Sequence, residues 1–162
     1  MDFSIEEFKQ LKEEMETWYA EIGKVYCPYF QEEIHFNRKG IEHLIFKDWN
    51  KIRLVDDQFI RFRHLKVVPE IIKSSRTVQG ILLVRQFERV KKKDGKWQQI
   101  LKMTAYYEFI AVMESHGSRI RAKVIIKQIE GGEKFFLSII PFWGSDKLTG
   151  ERILHSGNPR ID

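Results

Sequence analysis

A single cysteine, Cys27, in 162 residues excludes an internal disulfide framework. No cluster of cysteine and histidine shows the spacing of zinc ligands. With only 4 prolines and 10 glycines, the chain is neither collagen-like nor a low-complexity linker. No apolar run approaches the roughly 18 residues that a membrane-spanning helix needs. The N-terminus is acidic and lacks the basic and apolar regions of a secretion signal, so the expectation is a soluble, cytoplasmic protein without a membrane partner. P-loop, G-x-G-x-x-G, G-x-S-x-G and H-E-x-x-H motifs are all missing, which leaves nucleotide hydrolysis and zinc peptidase chemistry without support.

What is present is enough for one compact core: 43% of the residues are apolar and 13% aromatic. The charge is unevenly placed. Residues 1–22 carry seven acids against Lys9 and Lys12, whereas residues 23–162 carry 26 basic residues against 16 acidic. An acidic N-terminal helix, 1–22, thus precedes a single basic domain, 23–162, and a basic body is suited to a polyanion partner.

Phe8, Leu11, Met15, Trp18 and Ile22 recur at helical spacing over 4–22, and Ser4 with Glu7 matches a capping box. Two short extended runs follow, Val25–Phe30 and Glu33–Phe36, read as a small hairpin or paired extended segments. Asn37 can cap a second helix over about 38–47, and a third is predicted from Asp56 to Val68, interrupted by Pro69 and resumed by a short helical turn over Pro69–Ser74. From Gln79 onward Asp94-Gly95, His116-Gly117-Ser118 and Gly131-Gly132 punctuate four antiparallel strands near 80–91, 97–114, 119–129 and 133–143. The tail from Ser145 reads as irregular. Helices first and a meander second predict an α+β fold, N-terminal helices packed on a four-stranded antiparallel sheet. In the third strand Ile120, Ala122, Val124 and Ile126 alternate with Arg119, Arg121 and Lys123, so one sheet face should pack while the other is largely cationic.

The polar residues left over suit phosphodiester chemistry without a metal or cofactor. Internal RNA cleavage needs a base for the 2′-hydroxyl, an acid for the leaving oxygen and fixed cations around the phosphate. His43 lies between core-facing positions of the second helix, although an ordinary hydrogen-bonded helix histidine explains it as well. Arg61 and His64, three apart, are expected to share a helix face, with Asp57 one turn earlier as an ion-pair partner. A solvated face is the plainer reading there. Arg119, Arg121 and Lys123 form a row along which an RNA backbone could lie, and exposed strand charges account for it equally. Ser138 interrupts the apolar run Phe135–Ile140 where packing alone requires no hydroxyl. His35 and His116 read as structural, and Tyr106, Tyr107 and Trp143 could stack bases or simply fill the core.

Together Val25-Tyr26-Cys27-Pro28, the Gly40–Leu44 helix with its histidine, the Val68–Ser75 turn and the strands ending in Phe135–Pro141 resemble the barnase/EndoU/colicin/RelE-like nucleases of phages and mobile elements, over roughly 24–157. The resemblance implies metal-independent RNA cleavage to a cyclic phosphate by a toxin or mobile-element effector, with RNA as partner and an immunity or antitoxin protein as a second candidate. Carried over by position, His43 is the helix histidine and general base or acid, Ser138 the late-strand hydroxyl that orients phosphate, and Arg152 the basic residue of the closing segment. Arg61 and Arg121 join Arg152 as transition-state stabilisers, and His64 is the second proton-transfer group. Glu108 stands where the resemblance leads one to expect a cation. The alternative is a non-catalytic module that binds nucleic acid or protein through the basic sheet face.

Overall fold

Ser4 opens the first helix, α1 (Ile5–Ile22), with both halves of its capping box in place: Glu7 N–H donates to Ser4 Oγ at 3.1 Å, and Ser4 N–H to the Glu7 carboxylate at 2.6 Å. The computed structural model describes residues 2–48, 50–142 and 158–162, and of Phe142 the backbone only. After α1 come β1 (Lys24–Cys27) and β2 (Glu32–His35), paired antiparallel. Then α2 (Arg38–Ile45) begins where Asn37 accepts from Lys39 N–H at 3.1 Å. A small pair follows, β3 (Phe46–Asp48) with β4 (Lys51–Ile52), which hydropathy did not signal because so short a pair has no periodicity to detect.

The third helix, α3 (Val55–Arg63), is shorter than the sequence suggests. It gives way at His64 to a 3-10 turn, Leu65–Val67, and then to α4 (Val68–Ser74). The short turn expected over Pro69–Ser74 is thus a helix of its own, with Pro69 in its first turn, and the break falls at His64, not at Pro69. In the first helical turn its missing N–H removes no intrahelical bond, and its fixed φ already suits the helix.

The meander forms as the turn signals indicate: β5 (Gly80–Lys91), β6 (Trp97–Ser115), β7 (Ser118–Ile129) and β8 (Lys134–Phe142), each antiparallel to the next. Ser115 pairs with Ser118, so His116 and Gly117 make a two-residue loop, with φ of 50° and 73° as a primed hairpin turn requires. The expected four strands are not the whole sheet. His35 of β2 pairs in parallel with Phe135 of β8, giving a six-stranded mixed sheet in the order β1-β2-β8-β7-β6-β5 beside the two-stranded β3–β4 sheet. The architecture is α+β, and no described helix is long and apolar enough to cross a membrane.

The main core joins Met15 and Tyr19 of α1, Leu44 of α2 and Ile71 and Ile72 of α4 to Ile120, Ala122, Val124 and Ile126 of β7. That row is the one the alternation predicts. The opposite row is not the cationic face expected: Arg119 and Arg121 are exposed, but Lys123 is buried. Farther along, Ile125 joins Tyr106, Phe135, Leu137 and Ile140 in a second apolar cluster. Removing apolar surface from water is worth about 25 cal/mol per Å², which favours such a cluster.

Two local features place the polar groups discussed below. First, β8 pairs Ser138 with Ile125 and Phe136 with Ile126, so Leu137 is an extra residue, a bulge that resets the alternation and puts Phe136 and Ile139 in the same core. Second, α2 lies close against β8 at Gly40. A methyl group there would stand 2.5 Å from the Phe136 main-chain oxygen and would also meet the Tyr19 hydroxyl.

Candidate active site

On the sheet face away from the main core, even-numbered residues of β5 start apolar with Leu82 and Val84 and then turn polar with Gln86 and Glu88. Glu88 is 8% exposed and is held by three side chains, mostly through Oε1. Lys127 of β7 places Nζ 3.1 Å from its Oε1 and 3.2 Å from its Oε2, Thr104 Oγ1 donates to Oε1 at 3.0 Å, and Gln86 Nε2 donates at 2.5 Å. The same Gln86 Nε2 lies 2.7 Å from the Tyr106 hydroxyl, and the Lys127 ammonium sits 5.4 Å from the Tyr106 ring centroid. Burial by itself would raise the Glu88 carboxyl, but the Lys127 charge and the three hydrogen bonds outweigh it and hold the group below its ordinary value. Glu88 is therefore a carboxylate.

Cations gather around that carboxylate. Burial, then the Lys127 charge, lowers Lys39 of α2, while burial lowers Lys127 against the opposing pull of Glu88, with Arg160 adding to the decrease. Tyr106 is pushed up to about 12, mainly by burial, so its hydroxyl keeps its proton at every ordinary pH. The arrangement holds a base, a proton donor and cations within one face, the inventory that phosphodiester cleavage without a metal requires. Among the described residues no group of three or more metal-ligating side chains is placed to hold an ion.

A second polar network adjoins the first where α2, α3 and β8 meet. Arg53, Asp57 and Arg61 follow one another at four-residue intervals, and Asp57 takes both guanidinium groups: Arg61 Nε at 2.5 Å and Arg53 Nη1 at 3.3 Å. Arg61 is fully buried. Its Nη1 donates to Ser138 Oγ at 2.7 Å and to the Ile139 carbonyl at 3.1 Å, and Ser138 Oγ donates in turn to the main-chain oxygen of Asp162 at 2.7 Å. Arg61 Nη1 reaches that same oxygen, and Arg53 Nη2 donates to the Ile161 carbonyl at 2.8 Å. The bulge at Leu137 makes the first of these contacts available, because it breaks the strict alternation at Ser138. Burial lowers Arg53 to about 10, so it remains a cation at neutral pH.

His43 borders both groups. Its carbonyl accepts from Arg53 Nε at 2.9 Å, and its Nε2 faces Arg53 Nη2 at 3.0 Å. A guanidinium only donates, so Nε2 is the acceptor and the ring is neutral with its proton on Nδ1. Burial first, then Arg53, Arg61 and Lys127, hold His43 well below its ordinary value. The influence of Lys127 ties the helix histidine to the sheet cluster.

The residues singled out from the sequence divide by location. His43, Arg61 and Ser138 come together around Arg53 and Asp57, and the one-turn Asp57–Arg61 pair forms. His64 does not share their face. With α3 ending at Arg63, His64 is the helix cap, and its Nδ1 turns to Ser115 Oγ at 2.7 Å, edge-on to the His116 ring 5.6 Å away. Both histidines line a separate cavity of about 690 Å³ with Phe3, Phe59 and Arg63. Burial, then His116, lowers His64 to about 4. Lys123, expected in the exposed row with Arg119 and Arg121, instead meets Glu108 at 2.5 Å, the residue that stands where a cation was expected. Arg152, Trp143 and most of the tail lie outside the described residues.

Sequence reasoning missed Glu88, Lys127, Thr104, Lys39 and Arg53. A signal existed for one of them: Arg53 completes an Arg-x-x-x-Asp-x-x-x-Arg spacing with Asp57 and Arg61.

The model of large polyvalent protein-associated domain 3 matches residues 6–136, about four-fifths of the chain. The chain belongs to this family. No curated protein and no solved structure matches it. The domain 3 match spans His43, Arg53, Asp57, Arg61, Glu88 and Lys127 and stops before Ser138, so the sheet cluster lies wholly inside the family's segment and the α3–β8 network only partly. It does not extend to the barnase/EndoU/colicin/RelE-like superfamily.

Proposed function

We propose that the chain is a metal-independent endoribonuclease of the barnase/EndoU/colicin/RelE-like kind, a toxin or mobile-element effector whose site is the outer sheet face around Glu88. The observation that carries this reading is a buried, ionised carboxylate paired with Lys127 and bonded by Thr104 and Gln86. The order of helices followed by an antiparallel meander also suits that superfamily. Glu88 takes the proton of the 2′-hydroxyl, and the 2′-oxygen bonds to phosphorus as the bond to the 5′-oxygen breaks. Lys127 and Lys39 stabilise the charge that builds on the phosphate oxygens, and the Tyr106 hydroxyl, near Gln86, protonates the departing 5′-oxygen. The products are a 2′,3′-cyclic phosphate and a 5′-hydroxyl. His43, its Nε2 engaged by Arg53, positions the cationic network beside the phosphate and transfers no proton in this arrangement.

The test is cleavage of end-labelled single-stranded RNA and tRNA in EDTA by the wild type and by Glu88→Gln, Lys127→Met, His43→Ala and Ser138→Ala proteins of checked fold. Cyclic-phosphate products that the Glu88 and Lys127 variants lose support the assignment. Cleavage retained by both removes the sheet site, and its loss in the His43 and Ser138 variants alone moves it to the α3–β8 network. Salt-sensitive RNA binding with no product points to the non-catalytic module instead.

A further inference from the structure

The β5–β6 hairpin outgrows the helices that cover the rest of the sheet. On the helix side the core reaches Tyr107 and Phe109 of β6, but Met103, Leu101 and Trp97, nearer the turn, are exposed. Across from them on β5, Phe87 pairs with Leu101, Arg85 with Met103 and Lys91 with Trp97, and Phe87 is 65% exposed and Trp97 55%. Phe87, Leu101, Met103 and Trp97 thus cluster as exposed apolar side chains on one face of the hairpin, the kind of surface that marks an interaction site.

The chemistry of this surface indicates its partner. Arg85, Arg89 and Lys91 project on the same face as Phe87 by strand alternation, and the Arg89 guanidinium stands 5.5 Å from the Trp97 ring centroid. Over residues 80–103 there are seven Lys and Arg against Glu88 and Asp94, and Glu88 is on the opposite face, paired to Lys127. Flat rings interleaved with cations at two-residue spacing form a stacking platform flanked by phosphate contacts, which a single strand can use because its bases are free to stack. β5 is the edge of the sheet, so a strand can pass round it from one face to the other. We propose that this arm holds single-stranded RNA, with bases on Phe87 and Trp97 and phosphates on Arg85, Arg89 and Lys91, delivering the chain around the β5 edge toward Glu88. That last part rests on the ribonuclease reading; the binding surface does not.

The experiment measures fluorescence anisotropy of a labelled 2′-O-methyl oligouridylate, which lacks the attacking hydroxyl and cannot be cleaved, against wild type, Phe87→Ala, Trp97→Ala and Arg85→Ala/Arg89→Ala. Cleavage of a dinucleoside monophosphate, too short to span both faces, is followed in parallel. Each aromatic variant is expected to bind about tenfold more weakly, and the arginine pair to reduce the slope of log affinity against log salt by about 1. Dinucleotide cleavage is expected to stay unchanged. Because the substituted side chains are exposed, unchanged thermal melts show that the fold is kept. Wild-type affinity in all variants, or no binding by the wild type, overturns the proposal. So does self-association in sedimentation that the aromatic variants abolish without altering RNA affinity, since the surface then serves a second copy of the chain. Binding lost in the variants while the wild type cleaves no RNA leaves the arm standing and removes the nuclease reading.

Discussion

Lys127 and Glu88 lie two strands apart, on β7 and β5, and meet across the intervening β6, with Nζ 3.1 Å from Oε1 and Thr104 donating to the same oxygen at 3.0 Å. The pair binds the outer half of the meander together and supplies the carboxylate on which the proposed chemistry depends.

Glu88→Gln keeps the shape and removes the base. The expected loss in kcat/KM is about 10²–10⁴-fold, measured as initial rates of RNA cleavage. Since the carboxyl is held below its ordinary value, wild-type activity should persist down through the usual carboxylate range and fall only below it. The same sign governs stability: the contribution of Glu88 is present above the unfolded value near 4.5 and is lost as pH falls through the folded one. Lys127→Met strands the carboxylate without its counter-charge and should cost about 3 kcal/mol by urea unfolding. In the double variant Lys127→Met/Glu88→Gln much of that cost should return.

Arg61 is the test of the second network. Asp57→Ala leaves two guanidinium groups in the interior with their anion gone, and a loss of about 3–5 kcal/mol is expected. Ser138→Ala removes one hydroxyl that accepts from Arg61 and donates to the Asp162 main-chain oxygen, and should cost about 1–3 kcal/mol. Equal stability of Ser138→Ala and wild type in urea would mean that this junction contributes nothing.

Gly40→Ala addresses the contact of α2 with β8. Alanine is the better helix former by about 1 kcal/mol, yet the added methyl would meet the Phe136 carbonyl and the Tyr19 hydroxyl, neither of which can retreat from a packed core. A net destabilisation above about 1 kcal/mol is expected, within the range of overpacked cores, read from the thermal or urea midpoint.

His64 should titrate near 4 by NMR, not near 6.5, because burial and the neighbouring His116 disfavour its charged form. A lowered folded value means that its neutral state supports the fold above about 6.5 and that this support is lost progressively as pH falls toward 4. His64→Gln should flatten the stability profile across that window.

Much of the fold is legible in the residues. The capping box at Ser4 and Glu7, the Asn37 cap, the glycine-marked turns and the alternation of Ile120, Ala122, Val124 and Ile126 are local signals, and local chemistry satisfies them. Pro69 was open to two readings because proline both ends a helix and opens one, and only the break at His64 decided between them. The parallel pairing of His35 with Phe135 had no local signal, since it joins residues 100 apart in sequence through backbone groups alone.

Capping, turn conformation and side-chain period act over a few residues, and these local signals suffice for the α+β class, the meander and its turns. Tertiary structure alone decided which polar residues share a site. Lys123 and Lys127 lie on one face of one strand, yet Lys123 is paired with Glu108 and Lys127 with Glu88. Arg61 and His64 are three residues apart, yet Arg61 meets Ser138 and His64 meets Ser115, because the helix stops between them. Burial makes an unpaired charge costly, so each cation takes the carboxylate that strand register and helix ends bring within reach, and neither is set by the residues adjacent in the chain.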